Sequence, residues 1–498
     1  MAVLIYFSAQ LNVVSGPMDV EDLLEFVLKR GGELGASYVE ARFQRDHQSQ
    51  VVLKNGVPEV SADVVEKGVG IRLLYRGSLG FAYVNQLDRA SLRKAVAAAF
   101  GMARAAAAGS QDVRMSEEKL VKASDIKKPR IRYDDVDNRD KIELLKEADA
   151  AGVEAADKLG VKLVSRFIEL GKWSTEKHVV NSDGGDVRFA VERATANYII
   201  TAYHPQRGVV QRFENLGESA GWEAVERWDL PGRLAEEARD ICKALLRGVE
   251  PPREPVDVVL GSEIVGLVCH ESCGHPGEAD RMLGREAAQA GETYVKPELL
   301  GTRIGSEHVT VVDDPRLPRS FGYYLYDDEC VATSERVLID KGVLSGLLHN
   351  RETAAELGTH SNGASRANSY SKEPIVRMAN TYLKPGDHSL EELFEIMRNG
   401  VYIKSYQEWN IDDRRWNQRY VGVVAYRVRD GKLAEMIRDP VVDLTTKGLW
   451  SSVKAVADDL KFYAGYCGKG DPMQGIPVWF GGPSVLLSGV RLGVRRPA

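Results

Sequence analysis

Residues 248–255 read GVEPPREP, and this run constrains the folding of the 498-residue chain more than any other. Its three prolines fix φ, withhold backbone donors and bar a continuous helix or a central strand. The run therefore reads as a stiff, extended connection. It divides the chain into an N-terminal α+β domain, residues 18–250, and a C-terminal domain, residues 251–498, behind an extension at 1–17. At about 150 residues per domain, the length suits two or three domains.

The N-terminal side alternates helix-period and strand-period stretches. Val20, Leu23, Leu24, Val27 and Leu28 lie at helical spacing, and the helix is expected to stop at Gly31-Gly32. Strand-like runs follow at Tyr38–Phe43, Val51–Lys54, Val57–Val65, Val69–Tyr75 and Leu79–Val84. Asn55-Gly56 and Arg76-Gly77 separate runs as hairpin turns do. An Ala-rich helix over 88–108 packs through Leu92, Val96 and Phe100. The same order then recurs. A helix at 141–157 precedes runs at 161–170, 178–181, 187–191, 197–203 and 209–213, and a helix over 232–246. The pattern is consistent with an internal repeat of an α, antiparallel-β, α unit. Beyond the linker, Val256–Leu260 reads as a buried strand, and after one helix the domain is rich in strands, Gly and Pro.

Lys plus Arg is 66 and Asp plus Glu is 72, a net charge of −6, which gives no general surface for nucleic acid or anionic membrane. Neither is expected as a partner. No apolar run approaches the roughly 20 residues that span a bilayer. Residues 1–16 lack the basic start of a secretory signal, and Gln10 and Asn12 interrupt their apolar stretch. Five cysteines, an odd number, are too few and too scattered for a disulfide framework. A reduced, cytoplasmic setting is expected.

The chemistry concentrates in GSEIVGLVCHESCGHPGEAD, residues 261–280. Ser262 reads as the N-cap of a buried apolar helix. Pro276 ends that helix at His275. His270, Glu271 and His275 form His-Glu-x-x-x-His, one residue longer than the zincin His-Glu-x-x-His. At about 100° per residue, positions i and i+5 point about 140° apart on a regular helix. A π-type bulge would return both imidazoles to one side, and Gly274 eases such a distortion. Two imidazoles plus one further protein ligand would leave an open corner on a tetrahedral zinc. Glu271 could then take a proton from the attacking water and pass it to the leaving amine. Glu278, Asp280, Cys273 and Cys467 are all candidates for the third ligand.

Other residues read more plainly. His308 and His360 are weak candidates for oxyanion stabilisation. Asp313-Asp314-Pro315 reads as a capped turn, and Asp327-Asp328-Glu329 as a solvated face. Tyr323, Tyr324 and Tyr326 read as sheet packing. Cys269 and Cys273 are expected to be structural; Lys469 could lower the thiol pKa of Cys467, but a bound metal would deprotonate that thiol in any case.

These motifs, in this order, resemble the TldD/PmbA family, described as DNA gyrase modulators and as zinc metallopeptidases. The resemblance is carried by HESCGHPGEAD, by residues 311–354, by SNGASRANSYSKEPIVRMANTYLKPGD at 361–387 and by CGKGDPMQGIPV at 467–478. It runs from Met18 to the C-terminus. It implies one Zn2+ per active subunit, held by His270, His275 and Cys467, with Glu271 as catalytic base. Residues 251–498 would then be the zinc metallopeptidase domain. The implied substrates are short peptides or unfolded proteins, captured by strand addition in a narrow cleft. The implied assembly is a homodimer, or a heterodimer with a PmbA/TldE-type paralogue that lacks the histidine motif. Two features depart from the family. Residues 405–428 carry Trp409, Arg414, Arg415 and Trp416 where bacterial members are Gly-rich. NGASR at 362–366 matches the family pattern loosely, which leaves Arg366 without an assigned role. Two rival functions remain. One is a non-catalytic regulatory or binding subunit with a structural metal; the other is hydrolysis by Cys467 as nucleophile.

Overall fold

The structure is a computed structural model that describes residues 19–109, 112–286 and 291–495; the 1–17 extension lies outside them. The chain opens with α1 (Val20–Glu33), capped by the Asp19 carboxylate on the Glu21 N–H. The helix runs through Gly31-Gly32 instead of stopping there, because Gly31 is buried against Val39. A meander follows: β1 (Tyr38–Lys54), β2 (Val57–Tyr75) and β3 (Ser78–Val84), closed by α2 (Arg89–Ala106). After β4 (Lys122–Ile126) the order repeats. It runs α3 (Asn138–Asp157), β5 (Lys162–Asn181), β6 (Asp186–His204), β7 (Gly208–Glu218), α4 (Trp222–Trp228) and α5 (Leu230–Arg247).

The two meanders join through antiparallel β1 and β5, giving one sheet in which β3, β2, β1, β5 and β6 follow one another. β7 and the parallel β4 take different stretches of β6. Asn55 and Arg76 sit at φ 48° and 47°, each followed by a glycine at positive φ, as tight hairpins require. The short runs seen in sequence merge into strands of 17 to 20 residues. They looked broken because polar side chains interrupt them. In β1, Asp46 is buried and accepts from Trp173 and Thr175 of β5 at 2.9 and 2.8 Å.

The C-terminal half opens with β8 (Val256–Leu260) and α6 (Ser262–Cys269). Short strands follow: β9 (Val311–Asp313), β10 (Arg336–Asp340), β11 (Val343–Leu344), β12 (Ser365–Arg366), β13 (Ile375–Val376) and β14 (Asn380–Leu383). Longer ones come next: β15 (Gly400–Ile411), β16 (Asn417–Arg429), β17 (Lys432–Ile437) and β18 (Pro440–Thr445). The last are β19 (Val453–Val456), β20 (Lys461–Lys469), β21 (Gln474–Gly482), β22 (Val485–Val490) and β23 (Leu492–Val494). One sheet runs β11-β10-β9-β14-β21-β20, and another runs β19-β22-β8-β15-β16-β18-β23 with β17 on β16. Helix α6 is wedged between them, against β14, β20 and β21 on one side and β15 on the other. All eight of its residues are buried.

The two halves meet through charge as well as apolar contact. Asp327-Asp328-Glu329, expected to be a solvated face, is buried. Lys177 Nζ and Arg42 Nη1 reach Asp328 at 2.8 and 3.5 Å, and Arg72 joins Glu329 to Glu40 at 2.6 and 2.7 Å. The cations come from β1, β2 and β5, far away in sequence, so the local acidic run gave no sign of them.

Candidate metal centre

Helix α6 starts at the Gly261 cap, and Ser262 is not its N-cap: its hydroxyl instead pairs with the Tyr463 hydroxyl at 2.7 Å. At its far end the helix widens into a π turn over His270–Gly274. The His275 N–H donates to the His270 carbonyl at 3.1 Å, an i to i+5 bond. That single wide turn restores the alignment that a regular helix would lose. The imidazole centroids lie 4.9 Å apart, with planes at 78°. Gly274 is needed for close packing: a Cβ there would lie 1.9 Å from Met378 Sδ and 3.1 Å from Thr381 Oγ1.

Cys467 reaches the same place from β20. Its Sγ lies 3.4 Å from His275 Nε2. The donor atoms of His270, His275 and Cys467 all lie within 4.8 Å of one another, and all three residues are buried. A tetrahedral zinc would bring its ligand atoms to about 3.3–3.7 Å, so a modest inward shift suffices. Two further observations fit a metal. His270 Nδ1 is buried without a partner. Burial holds both imidazoles below their usual pKa, favouring the neutral form that ligates. Burial alone would raise the Cys467 thiol, but His275 and Arg377 outweigh it and bring the thiol down to about 7.

The other third-ligand candidates are engaged elsewhere. Glu278 Oε2 accepts from His275 Nδ1 at 3.0 Å and Arg281 Nε at 2.7 Å, and has Lys469 Nζ at 3.4 Å. Burial opposes its charge, yet Lys469 and Arg281 hold its carboxyl well below the usual range. Glu278 thus orients His275 so that Nε2 faces the donor group. Asp280 takes Lys469 Nζ at 2.6 Å, and that lysine also donates to the Val376 carbonyl at 2.8 Å. Cys273 sits 3.6 Å from Ser272 Oγ, and burial pushes its thiol up to about 12.

The segment behind the site is RMANT, residues 377–381, which leads into β14, and sequence reasoning assigned it no role. Arg377 donates to the carbonyls of Cys467 and, at 2.9 Å, Gln474, clamping the β20–β21 hairpin. Thr381 Oγ1 and the Ala379 N–H donate to Asp313 at 2.8 and 2.9 Å, and Asp313 also pairs with Arg336. Asp314 caps the Arg316 N–H at 2.9 Å, the turn role expected of it. Tyr323 and Tyr324 are buried. His308 and His360 are exposed, and His360 Nδ1 lies 3.3 Å from Glu118, outside the donor group. Glu271 is buried, acts electrostatically on the adjacent His270 and is in ion-pair contact with Arg415.

Models of the PmbA/TldA metallopeptidase domain 1, central domain and C-terminal domain match residues 39–103, 131–246 and 253–494. A metalloprotease of Methanothermobacter thermautotrophicus is 30% identical over 96% of this chain and 97% of its own length. A zinc metalloprotease TldD homolog of Saccharolobus solfataricus is 26% identical over 94% of this chain and 98% of its own. Among solved structures, a protein described as a modulator of a DNA gyrase from Thermotoga maritima superposes with TM-score 0.75 at 19% identity. That match covers 95% of this chain and all of the other. TldE from Thermococcus kodakarensis gives 0.73 at 17% over the same shares.

Proposed function

Because the chain belongs to the PmbA/TldA metallopeptidase family, we propose that it hydrolyses peptide bonds with one zinc ion held by His270, His275 and Cys467. The observation that carries this reading is the donor group itself. It comprises three side chains among the described residues, and the Glu271 carboxylate is close enough to His270 to act on its charge. Three protein ligands are what catalytic zinc uses, and four are usual where the metal is structural. A bound zinc would lower the pKa of a water and polarise the scissile carbonyl. Glu271 takes the proton from the attacking water and delivers it to the departing amine. Glu278 fixes the tautomer and orientation of His275, and Arg377 holds the strand that presents Cys467.

We assign the catalytic unit to residues 251–498, with 18–250 framing the cleft and supporting assembly. The substrates are short or unfolded peptides. The chain acts as the active subunit of a homodimer, or beside a PmbA/TldE-type paralogue; a TldE among its structural relatives supports the latter. The five cysteines are all free and buried, which suits a reducing cytoplasm.

The test is peptide digestion by the zinc-loaded protein, with and without chelator, beside Glu271→Ala. Chelator should stop cleavage. The Glu271→Ala variant should lose about 10²–10⁴-fold in kcat while retaining zinc. Unchanged turnover in that variant would defeat the assignment. One observation favours a second reading: a Cys467 thiol near 7, 3.4 Å from His275, also describes a cysteine nucleophile with its base. Activity that survives metal removal would select it.

A further inference from the structure

Glu271 carries the proton in the proposed reaction, and its carboxylate does not stand alone. Arg415 Nη1 contacts Glu271 Oε2. Arg415 lies in the turn between β15 and β16 and is 8% exposed, whereas its neighbour Arg414 is at the surface with Glu292 at 3.2 Å. The turn is built around this residue. Arg415 sits at φ 61°, a conformation side chains seldom adopt. Its N–H donates to the Asp412 carbonyl at 2.9 Å, and its carbonyl accepts from Thr446 Oγ1 at 2.8 Å. The next residue, Trp416, donates its N–H to Asp412 Oδ1 at 2.7 Å and packs its ring 5.2 Å from that of Tyr294. Arg415 Nε is buried without a partner, so the scaffold does not consume the guanidinium.

We propose that Arg415 is a positioning residue for Glu271, delivered to the metal centre by the tip of the β15–β16 hairpin. By holding Oε2, it leaves Oε1 as the proton-accepting atom and stops the carboxylate from rotating away. It also supplies the charge that a buried carboxylate requires. A guanidinium suits the task because its donors are fixed in a planar fork, which a lysine ammonium lacks. The inference rests on the peptidase reading and adds to it a hairpin on which the catalytic carboxylate depends.

The experiment compares zinc-loaded wild type, Arg415→Ala, Arg415→Lys, Glu271→Gln and the double variant Arg415→Ala/Glu271→Gln, with Arg414→Ala as control. Arg415→Ala should lower kcat and kcat/KM together by about 10–100-fold, with full zinc content. Arg415→Lys should recover little of this, and added guanidinium should restore part of the activity of Arg415→Ala without affecting wild type. In the Glu271→Gln background, loss of Arg415 should cost nothing further. Arg414→Ala should behave as wild type. Thermal midpoints of the metal-free proteins supply a readout apart from turnover: the two single changes should be non-additive. Wild-type turnover in Arg415→Ala, faster turnover, or losses that multiply with Glu271→Gln would overturn the proposal. If Arg415→Ala does not fold, Arg415→Lys carries the test, and full activity there overturns it. If wild type cleaves no peptide, the peptidase reading fails by itself. The midpoints then decide the pair: non-additivity keeps it and additivity removes it.

Discussion

At the scale of residues, the site joins side chains that sequence separates widely. His275 and Cys467 are 192 positions apart, yet their donor atoms are 3.4 Å apart. The histidine pair and Glu271 were legible because one helix end carries all three. The place of Cys467 in the donor group was not legible from residue types, since Glu278 and Cys273 lie closer in sequence and have suitable chemistry. Only packing shows that Glu278 is held by His275, Arg281 and Lys469, and that the donor group forms without Cys273. Replacing the thiolate should therefore act on the metal directly. Cys467→Ser is expected to weaken zinc binding by more than the roughly 10–100-fold that losing an orienting partner costs. Competition against a chromogenic chelator measures it; unchanged affinity would transfer the ligand role to another side chain.

At the scale of elements, the extra residue in His-Glu-x-x-x-His is absorbed by a π turn, as the 140° mismatch of a regular helix demanded. The spacing was thus a sound guide to backbone geometry. The reason for Gly274 was not legible. Its place follows from Met378, on a distant segment, which occupies the space a side chain would need. Met378 is itself fully buried and has little room to retreat. Gly274→Ala should cost about 1–3 kcal/mol by overpacking and should shift His275, lowering zinc affinity as well as stability. Unfolding curves and zinc titration test both effects; a loss of stability alone would separate the turn from the metal. The hairpin turns were read correctly because Asn-Gly and Arg-Gly need no tertiary context. The lengths of β1 and β5 were not, because their polar segments are buried through each other and through distant residues such as Asp328 and Asn368.

At the scale of the whole molecule, two helix-flanked meanders form one sheet, and the C-terminal half packs α6 between two others. The recurring pattern in sequence anticipated the first arrangement. The junction between the halves was misread, since three acidic residues in a row look solvated until β1, β2 and β5 bring Arg42, Arg72 and Lys177 onto Asp328 and Glu329, while Asp327 accepts from backbone N–H groups. Arg72 is fully buried between Glu40 and Glu329. Arg72→Met leaves two carboxylates unpaired and should destabilise the protein by about 3–5 kcal/mol, read by chemical unfolding. Apolar replacement of all three residues together should be far milder; equal damage from both would deny that the charges are mutually compensated.

The proposed reaction depends on three side chains gripping one ion while a corner stays open. X-ray absorption at the zinc edge of the purified protein tests this most directly. The account predicts one zinc per chain, one sulfur at about 2.3 Å, and nitrogen or oxygen neighbours at about 2.0–2.1 Å that include two imidazoles and a water. A chain without zinc, a shell with no sulfur, or four protein ligands closing the ion off from water would contradict it.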